Sequence, residues 1–220
     1  LFLPKFDPAG KPLRYLDIDS ECMPDAYLGG DFTTRRVTGI AWQFIGEDQM
    51  NVALLKRYEV VGRGKNRRVL DTDADFHIPM LVAFREAYNA ADVVTGHNII
   101  RHDLPIINGL SIYYGMGALP DKLASDTLSH APRVGYVFSR SQEVFGDVQG
   151  VAADKFHMNN AMWKRANTLD PEQVALTEER VTSDVTMHIE FRASLVRDGL
   201  LDRPTMWSSG SSSVSAHLPH

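Results

Sequence analysis

Four aspartates in this chain stand where their carboxylates could be brought together, and divalent-metal chemistry is what such a set could perform. In "LDIDSE", Asp17 and Asp19 lie two residues apart. On a strand their side chains leave the same face, so the two can share a cation. In "VVTGHNIIRHDLP" an apolar run ends on Gly96, His97 and Asn98, and Asp103 follows five residues after Asn98. Asp103 then lies beyond the carboxyl end of a strand, where α/β sheets gather ligands. Asp184 falls inside a long helical pattern; Asp is a poor helix former, so an exposed face or a functional demand must account for it. Each also has an ordinary reading as a polar strand end, a loop or N-cap residue, or an exposed helix position. Only the combination points to a site.

Cys22 is the single cysteine, which excludes an internal disulfide and a Cys-cluster zinc site and suggests a reducing compartment. Oxygen ligands would therefore hold any metal, which suits Mg²⁺ or Mn²⁺. The net charge of −5 argues against binding nucleic acid by bulk attraction. It leaves room for an enzyme, because carboxylates gathered around cations make a chain look more acidic than its occupied site.

The elements that must position these residues read as follows. "LRYLDID" is a short strand ending in polar "SECMPDAYLGGD". "RVTGIAWQFIG" and "NVALLKRYEV" are two further strands of a hairpin, giving three antiparallel strands in succession. "FHIPMLVAFREAYNAA" has helical spacing, "DVVTGHN" is a short strand, and "LPIINGLSIYYGM" is a helix with Pro105 near its first turn. The second half is helical: "SRSQEVFG", "NNAMWKRANTL", and a long helix with Asp170 as N-cap and Pro171 at N1. The expected fold class is one mixed α/β domain over residues 1–206, with 207–220 a flexible Ser-rich tail. No 18-residue apolar run occurs, so the expectation is a cytoplasmic chain with no membrane partner.

An Asp-x-Asp strand, an Asn-x4-Asp after a later strand and an aspartate on a C-terminal helix together resemble the DEDD (DnaQ-like) superfamily of 3′-to-5′ exonucleases. Its ribonuclease-H-like fold begins with three antiparallel strands, and its first motif, Asp-x-Glu, is similar to "YLDIDSE". "TGHNIIRHDLPII" resembles the second motif of proofreading domains in B-family polymerases and of stand-alone phage exonucleases, and Asp184-Val185 resembles the third. The "SDTLSH" segment and the Lys- and Trp-bearing stretch before Asp184 are also similar to phage members, and the likeness spans roughly residues 13 to 198.

The resemblance implies hydrolysis of DNA phosphodiesters from single-stranded or frayed 3′ ends, with two Mg²⁺ or Mn²⁺ ions roughly 3.5–4 Å apart. It implies Asp17 as the bridging ligand, Asp19 and Asp184 completing one shell, and Asp103 reaching the other ion mainly through water. Asn98 would bind near the nucleic-acid end, and His97 and Lys155 are further substrate-binding candidates. A replicative polymerase acting in trans is an implied partner, and a phage-encoded chain would work in the host cytoplasm.

Two positions depart from the family. Asp19 stands where it has Glu, one methylene shorter. The Tyr four residues before the last Asp, or the His five before, is replaced by Arg180 and Glu179. Guanidinium stays protonated, so Arg180 cannot be the base but could hold a phosphate. Arg180, Asp184 and His188 share one helix face, and His188 or Glu179 could take the proton. Three lesser features have plain alternatives. "GRGKNRR" could touch backbone phosphate or be a solvated hairpin loop; Trp163 with Met162 could stack on a base or pack in the core; His97 and His102 bracket the second motif. Other expected activities are an exoribonuclease using the same site, and a degenerate module that binds nucleic acid or a replication protein.

Overall fold

The first strand does not stop at Asp19. β1 runs Tyr15–Pro24 and carries the polar "SECMP" segment within the sheet. It pairs antiparallel with β2 (Arg35–Phe44), which pairs antiparallel with β3 (Asn51–Leu54). The three-strand start of the chain is therefore as expected. A computed structural model describes residues 10–24, 35–55, 60–61, 68–69, 73–130, 141–151, 156–167 and 170–210. A small hairpin, β4 (Val60–Val61) with β5 (Arg68–Val69), flanks most of the basic run. Residues 62–67 of that run, Lys155 and the tail beyond residue 210 lie outside the described residues.

Helix α1 (Asp73–Ala90) leads into β6 (Val93–Gly96), which lies parallel to β1 with Asp17 opposite Thr95. Helix α2 (Asp103–Tyr113) connects to β7 (Lys122–Asp126), parallel to β6. Then come the short helices α3 (Thr127–His130), α4 (Gln142–Val148) and α5 (Asn160–Asn167), and the long α6 (Pro171–Arg197). β8 (Thr205–Trp207) closes the edge antiparallel to β7. The six strands lie in the order β3-β2-β1-β6-β7-β8, a mixed sheet with helices on both faces and a helical C-terminal half. This is the ribonuclease-H-like arrangement expected from the sequence.

Two features differ from expectation. β7 and β8 were not foreseen, and the boundary at 206/207 cuts β8, because Trp207 is buried in the main core and pairs with Lys122. Folded chain continues past it, with the Ser209 amide bonded to Asp121 at 3.2 Å.

The strand period sorts β1 into two faces. Leu16 and Ile18 point to one side, into a core with Phe84 and Tyr88 of α1 and Leu104 and Ile107 of α2. Asp17, Asp19 and Glu21 point to the other, where α6 lies across β1, β2 and β3. α6 starts as predicted: the Asp170 carboxylate accepts from the Gln173 amide and Pro171 opens the first turn. Val181 and Val185 seat it on Ala41 of β2. Gly39 keeps that approach close, since a Cβ there would lie 3.0 Å from Leu54 and 3.5 Å from Thr177.

Candidate active site

β1 and α6 meet along a row of polar side chains. Arg180, Asp184, His188 and Arg192 occur at four-residue steps, each step rising about 6 Å along a helix. Alternate residues of a strand advance about 6.7 Å, so the two elements stay nearly in step. Arg180 Nε bonds Glu21 Oε1 at 2.8 Å, His188 Nδ1 lies 2.7 and 2.9 Å from the Asp17 oxygens, and the Arg192 guanidinium sits 4.6 Å over the Tyr15 ring. The contacts advance along α6 as they retreat along β1, so the two elements run antiparallel.

The metal-competent donors lie within this row. Asp19, Glu21 and Asp184 each offer an oxygen, and the three oxygens lie within 4.8 Å of one another. Asp184 is buried, while Asp19 and Glu21 are half-buried at the open end of the row. Gln142 of α4 braces the helix here, donating to the Asp184 carbonyl at 2.8 Å. Arg180 Nη2 is 3.1 Å from Asp184 Oδ2, and its Nη1 donates to the Phe156 carbonyl. The guanidinium thus bridges two of the three carboxylates. All-oxygen, anionic donors of this kind suit a hard divalent cation, and a cationic side chain already rests among them.

Glu21 is the residue that sequence reasoning missed. Asp19-Ser20-Glu21 is itself an Asp-x-Glu pair, visible in the chain but screened by the expectation that the strand ended before it.

Asp17 has other partners. It is fully buried, and burial holds its carboxyl above the ordinary carboxylate range, opposed by the nearby His188 and Arg192. A buried chain continues from it: His188 Nε2 is 3.0 Å from Thr127 Oγ1, which is 2.9 Å from His97 Nδ1. His188 is thereby enclosed between Asp17 and Thr127, whereas Glu179 stands exposed on α6. Arg180 is held on three sides, by Glu21, Asp184 and the Phe156 carbonyl.

Asp103 is buried at the first turn of α2, where one oxygen accepts from the Ser20 amide at 3.0 Å and its hydroxyl at 2.5 Å. It is placed beside β1, yet outside the three-oxygen set. Its neighbour His102 lies 3.7 Å away through Nδ1, with Cys22 Sγ 3.8 Å from Nε2. Asp103, and then Cys22, push His102 up to about 10.

The loop between β6 and α2 has its own anchor, Asp126 at the end of β7. Its Oδ1 accepts from the amides of Asn98 (2.9 Å), Leu128 (2.9 Å) and Ser129 (3.3 Å), and its Oδ2 from Ile100 (3.0 Å). Asn98 holds a left-handed backbone, φ 69°, a conformation that Asn tolerates better than most residues. Before it, Gly96 passes so near β1 that a Cβ would stand 2.6 Å from the Ile18 carbonyl. These two residues explain why the apolar run ends on Gly-His-Asn. Trp163 and Met162 are half-buried on α5, which packs against α6 and β2.

Comparisons with known proteins give the fold. The structure is similar to that of the family B DNA polymerase from the hyperthermophilic archaeon Pyrobaculum calidifontis, with a TM-score of 0.59 and 16% identity. The match covers 85% of this chain and 25% of the polymerase, so the chain spans about a quarter of that protein's length. No family model matches the chain, and no curated protein sequence matches it.

Proposed function

We propose that this chain is a metal-dependent nuclease that removes nucleotides from the 3′ end of DNA. The observation that carries the reading is the convergence of Asp19, Glu21 and Asp184, from β1 and α6, on one point at the sheet's polar face. The fold shared with a family B DNA polymerase, and the Asn98 and Asp103 loop beside β1, support it. Asp19, Glu21 and Asp184 would hold the divalent cation. When bound, it would supply Lewis-acid polarisation of the phosphate and an acidified water. The chain's own residues supply the frame: Asp126 fixes the loop that presents Asn98, Asp103 ties that loop to Ser20, and the pairing of Asp17 with His188 fixes the turn of α6 that bears Asp184.

A second reading, a binder of nucleic acid without cleavage, is favoured by Arg180, which already pairs two of the three carboxylates. One assay separates the two. Single-stranded DNA labelled at its 5′ end, and the matching RNA, are incubated with Mg²⁺, Mn²⁺ or EDTA. The nuclease reading expects a metal-dependent ladder shortening from the 3′ end, faster on DNA, and lost on Asp19→Asn or Glu21→Gln. Folded Asp17→Asn, which weakens the pairing that positions Asp184, is expected to keep metal-dependent cleavage at a reduced rate; loss there with full activity in Asp19→Asn would return the metal to Asp17. Binding of both polymers by folded protein, with no cleavage in either metal, would establish the second reading.

A further inference from the structure

Asp126 shares the task of holding the loop that bears Asn98 with the residue after it. Thr127, the first residue of α3, is wholly buried, and its hydroxyl lies 2.9 Å from His97 Nδ1, 3.0 Å from His188 Nε2 and 3.3 Å from the Gly96 carbonyl. We propose that Thr127 is a positioning residue of the candidate site: it holds the His97 ring against α6, level with Asp19, where that ring meets the end of a bound DNA strand. This rests on the nuclease reading above.

Register and hydrogen-bond capacity give the reason. β6 lies parallel to β1 with Thr95 opposite Asp17, so two residues further along each chain His97 comes level with Asp19 on the same face. Its contacts agree: Phe191 of α6 stands edge-on to the rings of both His97 and His188, with centroids 6.1 and 6.3 Å away. His97 is only half-buried, so part of it faces outward beside the metal-competent carboxylates. A hydroxyl has one hydrogen and two lone pairs, and three partners use that capacity in full. Turning either ring away would leave a buried polar group short of a partner, a cost that keeps both rings in one orientation. Valine has nearly the same shape as threonine and none of this capacity. The hydroxyl bonds none of Asp19, Glu21 and Asp184, so its loss should leave metal binding in place.

The test measures kcat and KM for shortening of 5′-labelled single-stranded DNA by the full chain, with Mn²⁺ affinity read by electron paramagnetic resonance. Thr127→Val should bind Mn²⁺ within about threefold of wild type yet lose at least about tenfold in kcat/KM, since a displacement of about 1 Å can cost about a hundredfold in rate. Thr127→Ser, which keeps the hydroxyl, should stay within about threefold of wild type in kcat/KM. His97→Ala should lose at least about tenfold, and adding Thr127→Val to it should cost less than a further factor of about three, because the hydroxyl acts through that ring. Wild-type activity in folded Thr127→Val or in His97→Ala would overturn the proposal. So would a Thr127→Val loss that persists in full in the His97→Ala chain, or one that comes with lost Mn²⁺ affinity. If Thr127→Val does not fold, His97→Ala and Thr127→Ser decide the matter by the same limits. These outcomes leave the nuclease reading standing. Folded wild type that never shortens DNA in either metal would instead remove that reading, and this inference with it.

Discussion

Asp126→Asn isolates one charged acceptor that organises the loop bearing Asn98. The carboxylate receives four backbone amides, three on Oδ1 and one, from Ile100, on Oδ2. An Asn carbonyl can keep the group of three, but its NH2 then faces the Ile100 amide, donor against donor. Losing one hydrogen bond to a charged group costs about 1.5–3 kcal/mol, and the remaining three become bonds to a neutral acceptor. The expected loss is about 3 kcal/mol, a large share of the roughly 5–15 kcal/mol by which domains are stable. For a chain of this size that is a fall in Tm of about 6–12 °C. Asp126→Ala abandons all four amides and should fall further. Urea unfolding gives the magnitude, and hydrogen exchange gives the place: the Asn98 and Ile100 amides should lose protection ahead of the strand amides of β1. An Asn variant within 0.5 kcal/mol of wild type, with both amides still protected, would refute the assignment of Asp126 as the anchor.

Two further outcomes follow from the same region. Gly96→Ala should destabilise by about 2 kcal/mol or more, the scale of overpacking at a site that cannot yield, because the 2.6 Å clash is with backbone; a melt equal to wild type would show that β6 and β1 can separate there. His102 is raised to about 10, above the roughly 6.5 of an unfolded histidine, so its stabilising effect is fully present below about 6.5 and fades as pH rises toward 10. Melts of His102→Gln against wild type should therefore differ most in acid and converge in alkali; a gap that widens above pH 7 would contradict the pairing with Asp103.

Much of the arrangement was legible from pattern. α6 announced itself through Asp170, Pro171 and a buried stripe, and the three antiparallel strands through β-branched runs. The strand extension to Pro24 was not legible. Ser20 and Glu21 read as loop residues, and only pairing with β2 on one side and the bond from Ser20 to Asp103 on the other keeps them in the sheet. β7 escaped for a similar reason: "KLASD" has few apolar residues, and its buried Asp126 accepts from the amides of Asn98 and Ile100, which are distant in sequence. The side chain that His188 faces was equally hidden, since Asp17 lies 171 residues away. Local period reports which face a residue takes; long-range partners decide what it meets there.

The spacing of Asp17, Asp19 and Glu21 has one more consequence. Sliding β1 by two residues against α6 keeps every side chain on its face. It would simply move Asp17 opposite Asp184 and Asp19 opposite Arg180, which is the frame that a first motif at Asp17 supposes. Acidic alternation thus leaves the two alignments alike in pattern, and beyond the pairing of Asp17 with His188 the carboxylates themselves do not choose. The choice falls to the uncharged ends of the row: Tyr15 beneath Arg192, and the irregularity after Glu21, where Thr38 is the extra residue of β2 and its hydroxyl bonds the Glu21 carbonyl at 3.1 Å. Residues that perform no chemistry thereby determine which carboxylates can.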